Sequence, residues 1–440
     1  MGDMDRRRFL ELTGAGAGAV VAGVASPSDA RAEGPETPEA SPRRAPFVRV
    51  GQAPDVCVIG AGAFGLWSAL ELQRLGATVE VVDLYGPGNS RATSGGETRG
   101  VRTSYGDRPH GPQWGRWANE AIKRWKAWDE EHSGREVAPF FYTTGDLILR
   151  AEMQPYLERT MALWDDLGVE YEQPSMDVVA REFPQIRSDD MTVALYEPQA
   201  GVVRARRVME SVATVFQREG GTVTIGRAAP GRVDASRLTE VTVEGGDPIS
   251  AGTYQWACGP WLAKVLPNPM EGRLRIPMGH VFYFGTPPGS NAFNWPNFPS
   301  YGVPGCTGWP ALPPDHRGFR VRTGGRPPED PDVSQRGVIP EEGLQRGIDF
   351  VKERFPLLAD APILETRACH YESGPSRNFV VDVHPEWENA WITGCGSAEA
   401  FKQGPVLGEY IAHRIMGQDL EPELAEGFRL PEETFESDEG

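Results

Sequence analysis

Residues 55–83, DVCVIGAGAFGLWSALELQRLGATVEVVD, constrain the fold more than any other stretch of this chain. DVCVIG is a short apolar run bounded by Pro54 and Gly60, the pattern of a buried strand. From Gly62 to Leu75 the apolar positions recur at helical spacing, and the run stops at Gly76. TVEVVD then reads as a second buried strand. Strand, helix and strand in so short a span imply a parallel pair joined by a crossover.

The turn inside that unit is Gly60-Ala61-Gly62-Ala63-Phe64-Gly65, a GxGxxG. The spacing alone is a weak signal, since residues 14–19 of the same chain read GAGAGA. Its position between a strand and a helix gives it meaning. Gly60 permits a tight turn, Gly62 lets backbone approach a pyrophosphate, and Gly65 lets helix and strand pack closely. Amide groups and the positive end of the helix would hold the phosphates. Asp83 ends the next strand, 18 residues after Gly65, where an acid can bond a ribose 2′-hydroxyl. An acid there, and not a base, points to an unphosphorylated ribose, hence FAD or NAD rather than NADP.

Two later segments bear on that choice. TYQWACGPW (253–261) reads as an apolar strand with a small-residue turn. NAWITGCGSAEAFKQGPVLGEYIA (389–412) reads as strand, small-residue turn at Gly396, then helix from about residue 404. Small residues there let backbone approach a flat ring. They point to FAD and to a nucleotide domain that is discontinuous in sequence. The expected fold class is α/β in two domains. Residues 54–137, 190–262 and 365–417 form a Rossmann-like FAD-binding domain. Residues 138–189 and 263–364 form a mostly antiparallel β substrate domain. FFYTTGDLIL (140–149) reads as one strand, and Trp114, Trp117, Trp125 and Trp128 fall on one helical face as core.

The chain opens with Arg6-Arg7-Arg8-Phe9-Leu10, a Gly/Ala/Val run, and Ala30-Arg31-Ala32, a small-x-small cleavage pattern. This is the order of a twin-arginine export signal over residues 1–32, followed by a linker over 33–53. It predicts a periplasmic or extracellular protein handled by export machinery for folded cargo. The net charge of -18 argues against nucleic acid and anionic membranes as partners, and residues 418–440 read as an acidic tail. The five cysteines are odd in number and lack a CxxC, so neither a disulfide framework nor a metal site is expected.

Six further segments carry a resemblance. They are SGGETRGVRTSYG (94–106), YGVPG (301–305), HRGFR (316–320), RACHYE (367–372), FVVDVHP (379–385) and GSAEAFKQGP (396–405). With the GxGxxG unit they make the chain similar, over about residues 54–417, to the D-amino-acid-oxidase superfamily of FAD enzymes. Within it, the chain most resembles the monomeric sarcosine oxidase and N-methyl-amino-acid oxidase branch.

The resemblance implies roles for individual residues. Phe64, Ser94, Thr98 and Gly396 belong to the flavin site, and Arg99 lies over the flavin. Arg102 and Lys402 hold a substrate carboxylate, and Tyr301 lines the pocket. Cys369 matches a cysteine that attaches FAD covalently, its thiolate adding to the 8α-methyl of the ring. Arg320 stands where the branch has a lysine that helps reduced flavin meet oxygen. Glu399 stands where a histidine is common, and Ser376 replaces a usual acid. An acid at 399 would repel a substrate carboxylate, pair with its amine, or alter which amine fits.

The implied reaction takes hydride from the carbon next to an amine of a small amino acid to flavin N5. The imine then hydrolyses, and oxygen or another acceptor reoxidises the flavin. A catalytically silent flavin subunit and an NAD-dependent dehydrogenase are the alternatives. Export of a folded chain agrees with a flavin loaded before transit.

Overall fold

The computed structural model describes residues 53–435 except 109–110, 135–136, 326–329 and 335–337. The export signal, its cleavage pattern, residues 33–52 of the linker and the last residues of the tail lie outside the described residues.

The 55–83 unit folds as its pattern predicts. Val56–Ile59 and Val79–Asp83 are parallel neighbours, with the helix Ala63–Arg74 between them in sequence. They sit inside a six-stranded sheet ordered 380–383, 390–394, 253–256, 56–59, 79–83, 222–225. Only the 380–383 edge strand runs antiparallel to its neighbour. All four side chains of Val56–Ile59 are buried, as expected for a parallel strand covered on both faces.

Four helices, Ala63–Arg74, Gly111–His132, Ala205–Arg218 and Ala400–Ile415, share one core. Ala63–Arg74 packs on Ala400–Ile415 through glycine contacts: a Cβ on Gly408 would stand 2.5 Å from Trp67 Cβ. Trp67 in turn meets Trp125 and Trp128 edge-on, with ring centroids 5.5 and 4.9 Å apart. Trp114, Trp117, Trp125 and Trp128, all on Gly111–His132, are buried in this core.

The second sheet has seven strands ordered 363–370, 278–284, 319–323, 306–309, 300–303, 146–150, 193–197. It is antiparallel except where 300–303 meets 146–150. Phe282, Phe293, Phe298, Tyr301, Phe319 and Phe355 fill its core. A three-stranded sheet, 99–101, 201–203 and 141–143, is hydrogen-bonded to neither but packs against both, Val101, Phe141 and Val203 in the first core and Tyr142 and Val202 against Trp309. The architecture is thus α/β, with a largely parallel nucleotide-type sheet and a largely antiparallel second sheet.

Four expectations need correction. FFYTTGDLIL is two strands, Phe141–Thr143 and Asp146–Arg150, split at Gly145. Gly145 has φ +67, and a side chain there would meet Tyr196 Oη at 2.1 Å. The last long helix begins at Ala400, with Pro405 inside it, so Lys402 lies in its first turn rather than before it. Strand 193–197 pairs with 146–150, so it joins the second sheet although the sequence division gave 190–262 to the first. Strand 363–370 pairs with 278–284, which carries Cys369 onto the second sheet too. Each strand's partner is fixed by residues far away in sequence, 146–150 for the one and 278–284 for the other, which no local pattern names.

Candidate active site

The glycine turn is built by close contacts. Gly60 has φ +112, and a Cβ there would stand 2.3 Å from Ala257 O, at the end of the neighbouring strand. A Cβ on Gly65 would stand 1.9 Å from Gly60 O, so helix and strand touch here through backbone alone. Gly62 faces Ser94, whose Oγ would lie 3.3 Å from a Cβ.

Two of the turn's amides are already bonded within the protein. Ala61 N donates to Asp83 Oδ2 at 2.8 Å, and Ala63 N donates to Ser94 Oγ at 3.0 Å. Asp83 Oδ1 also accepts from Tyr85 N and Gly86 N, at 2.9 and 2.7 Å. Burial pushes the Asp83 carboxyl up, and these three amides only partly offset it. Asp83 therefore braces the turn as well as facing the cavity beside it.

That cavity measures about 1770 Å³ counting its open mouth. Gly60, Gly62, Phe64 and Asp83 line it, as do Ser94, Arg99, Arg102, Arg320, Cys369, Gly396, Glu399 and Lys402. Phe64 and Gly396 meet across it, since a Cβ on Gly396 would stand 3.2 Å from the Phe64 ring. Three expected residues do not line it. Gly65 acts through packing. Thr98 is buried, with its hydroxyl accepting from Trp309 Nε1 at 3.0 Å. Tyr301 is a core residue, stacked on Phe319 and donating its hydroxyl to Arg320 O at 3.1 Å. It also lines a second cavity, with Arg102, Arg108, Asp146 and Glu399.

Arg99 donates to Thr98 O at 2.8 Å and closely to Thr93 O. Its Nη2 lies 3.4 Å from Cys369 Sγ. Burial would raise the Cys369 thiol, but Arg99, Arg367, Arg322 and Arg320 together hold it below its ordinary value. Cys258 lines the same cavity, yet burial and then Asp83 push its thiol up to about 12. The cavity thus contains one thiol disposed to ionise and one that is not.

Arg320 lies with its guanidinium carbon 3.7 Å from the Trp309 ring centroid. Burial draws it down to about 10, and its Nη1 has no hydrogen-bond partner among the described residues.

The turn from Cys395 to Ala398 is strained. Cys395, Ser397 and Ala398 have φ of 56°, 47° and 63° without being glycine. Glu372 holds this turn, accepting from Gly396 N at 3.1 Å through Oε1 and from Ser397 N at 2.9 Å through its backbone oxygen.

Lys402 is not a free cation. Its Nζ is in close contact with Glu399 Oε2. Glu399 also accepts from Arg108 Nη2 at 2.6 Å and from Tyr105 Oη at 3.0 Å. Burial would raise the Glu399 carboxyl, but Lys402, Arg108 and Arg102 overcome it and hold it at about 2. Burial lowers Lys402 to about 8, although Glu399 opposes the fall. Arg102 has the looser partner, Asp146 at 4.0 Å. Among residues that sequence reading did not single out, Trp309, Glu372, Arg108 and Asp146 matter most. Glu372 closes the RACHYE segment without having been assigned a role there, the other three lie outside the six segments, and each acts through a contact distant in sequence.

The chain matches the DAO family, described as FAD dependent oxidoreductase, over residues 55–414. It is 24% identical over 366 residues to the monomeric sarcosine oxidase of Bacillus sp. (strain NS-129), covering 81% of this chain and 92% of that one. It is 23% identical over 380 residues to the N-methyl-L-tryptophan oxidase of Salmonella enteritidis PT4 (strain P125109), covering 84% and 97%. Its fold is similar to that of iminodiacetate oxidase from Chelativorans sp. BNC1, with a TM-score of 0.68, 23% identity, and coverage of 85% and 98%. A glycine turn and a strained small-residue turn lining one cavity, and a family match spanning both, lead to one statement: this chain is a member of the DAO family of FAD-dependent oxidoreductases.

Proposed function

We propose that this chain binds FAD and oxidises the C–N bond of a small amino acid or N-methyl amino acid. The observation that carries the reading is the single cavity lined by both the Gly60 turn and the Lys402 turn. Its residues fit an extended dinucleotide. A Cβ at Gly60 or Gly65 would meet backbone, and an acid stands at the end of the second strand. When bound, FAD supplies a hydride acceptor at N5 and a route for the electrons to oxygen, giving hydrogen peroxide, or to another acceptor.

The chain's own residues bind, orient and stabilise. Arg102 lines the cavity and offers a charge-assisted bond to a substrate carboxylate, fixing the carbon that loses hydride. Arg320 supplies positive charge where oxygen would gain an electron. Cys369, with its ionisation favoured by four guanidinium groups, is the proposed attachment point for the flavin ring. The oxidised substrate is an imine, which water hydrolyses. Residues 5–12, DRRRFLEL, are proposed to direct the folded, loaded protein out of the cytoplasm.

A second reading is a dehydrogenase that passes electrons to an acceptor other than oxygen. Arg320 favours it, because an arginine cannot relay a proton as a lysine can. The test is direct. Purified protein should show flavin absorption, and anaerobic N-methyl amino acids should bleach it. Colourless protein sinks the proposal. Bleaching that recovers in air with peroxide selects the oxidase, and recovery only with an added dye selects the dehydrogenase.

A further inference from the structure

Glu399 occupies the N-cap position of the helix Ala400–Ile415 but makes no side-chain cap bond there. An acid at a helix start ordinarily turns to the free amides of the first turn. Here the carboxylate turns the other way, to Lys402 Nζ, Arg108 Nη2 and Tyr105 Oη. Glu399 and Lys402 are both at least nine-tenths buried, so neither charge is relieved by water. Lys402 lines the main cavity, and so does Glu399. An incoming carboxylate must therefore compete with one already seated on the lysine.

The surrounding charges bear this out. Lys402 and Arg108 both sit on Glu399, and Arg108 also has Asp107 at 3.9 Å, whereas Arg102 has Asp146 at 4.0 Å. Arg102 therefore holds the loosest ion pair of these three cations and is the one most open to a further carboxylate.

We infer that Glu399 is a specificity-determining residue that acts as an internal competitor for the substrate carboxylate. It holds Lys402 as a counter-ion and leaves the α-carboxylate to Arg102. The site thereby disfavours compact substrates such as N-methylglycine, which depend on a two-point grip of the carboxylate. The inference rests on the amine-oxidising reading of the site.

The test uses purified flavin-bearing full-length protein, with acetate and N-methylglycine as probes. Acetate affinity is read by calorimetry, and KM is separated from kcat for N-methylglycine. Glu399→Gln should tighten acetate and lower the KM for N-methylglycine by about tenfold or more, the effect of freeing one buried cation. The charge-balanced pair Glu399→Gln with Lys402→Met should bind acetate within about threefold of the unaltered protein. Replacing both keeps the buried charge balanced and leaves Arg108 with Asp107 at 3.9 Å, so this arm stands even where the single variant fails to fold. Acetate binding unchanged by Glu399→Gln, or weakened tenfold in the paired variant, overturns the inference. Protein that carries no flavin would defeat the functional reading instead, before any variant is compared.

Discussion

Arg99 and Cys369 are 270 positions apart in sequence, yet a guanidinium nitrogen lies 3.4 Å from the thiol sulfur. The contact joins the first residue of strand 99–101 to the edge strand of the second sheet. It puts the one cysteine held below its ordinary pKa on the cavity wall.

Replacing that thiol separates it from its neighbour. Cys369→Ala should release all flavin into the supernatant on acid precipitation, and Cys258→Ala should leave attachment intact. Arg99→Met should slow attachment by removing the nearest charge that favours the thiolate. Absorbance of the acid pellet at successive times after flavin addition decides all three.

Oxygen reactivity should follow the charge at position 320. Arg320→Met should slow reoxidation of the reduced protein by about 10²–10³-fold, the usual effect of removing one preorganised stabilising group. Arg320→Lys should keep or raise the rate. Stopped-flow mixing with oxygenated buffer measures it, and equal rates in all three proteins would refute the assignment.

Packing at the glycine turn leaves no room for a methyl group. Gly65→Ala places a Cβ 1.9 Å from Gly60 O, so backbone must move. A loss of about 1–3 kcal/mol is expected, with weaker flavin retention, since the same turn forms the cradle. Urea midpoints compared with and without added FAD separate the two effects.

Acid stability should carry the mark of Glu399. Its carboxyl titrates at about 2 in the folded chain against an ordinary 4.5. Between these values the unfolded chain binds the proton first. The contribution is complete above about 4.5 and is lost as pH falls toward 2. Thermal midpoints of Glu399→Gln should therefore fall less steeply over that window than those of the unaltered protein.

Export should depend on the paired arginines. Arg6→Lys together with Arg7→Lys should leave the precursor in the cytoplasm with its flavin bound, as cell fractionation would show. Normal export of that variant would remove the basis for the signal.

The crossover at 55–83 was legible because its information is local. Apolar period, glycine spacing and a strand-ending acid all fall within one short segment. The break at Gly145 was not, because it shows only in the positive φ of Gly145 and in its close approach to Tyr196, a residue of another strand. The division between sheets was misjudged at 193–197 and 363–370 for a related cause. A strand's sheet is decided by the strand it pairs with, and both partners here are distant in sequence.

The site divides along the same line. By itself the sequence determined a nucleotide-type turn, the residue types of the site, and the two departures at Arg320 and Glu399. Tertiary structure alone decided what those groups do to each other. It set Arg99 beside Cys369, stacked Arg320 on Trp309, and closed Glu399 onto Lys402 and Arg108. Turn geometry is a property of neighbours along the chain, whereas the state of a buried charge depends on the groups that surround it in space.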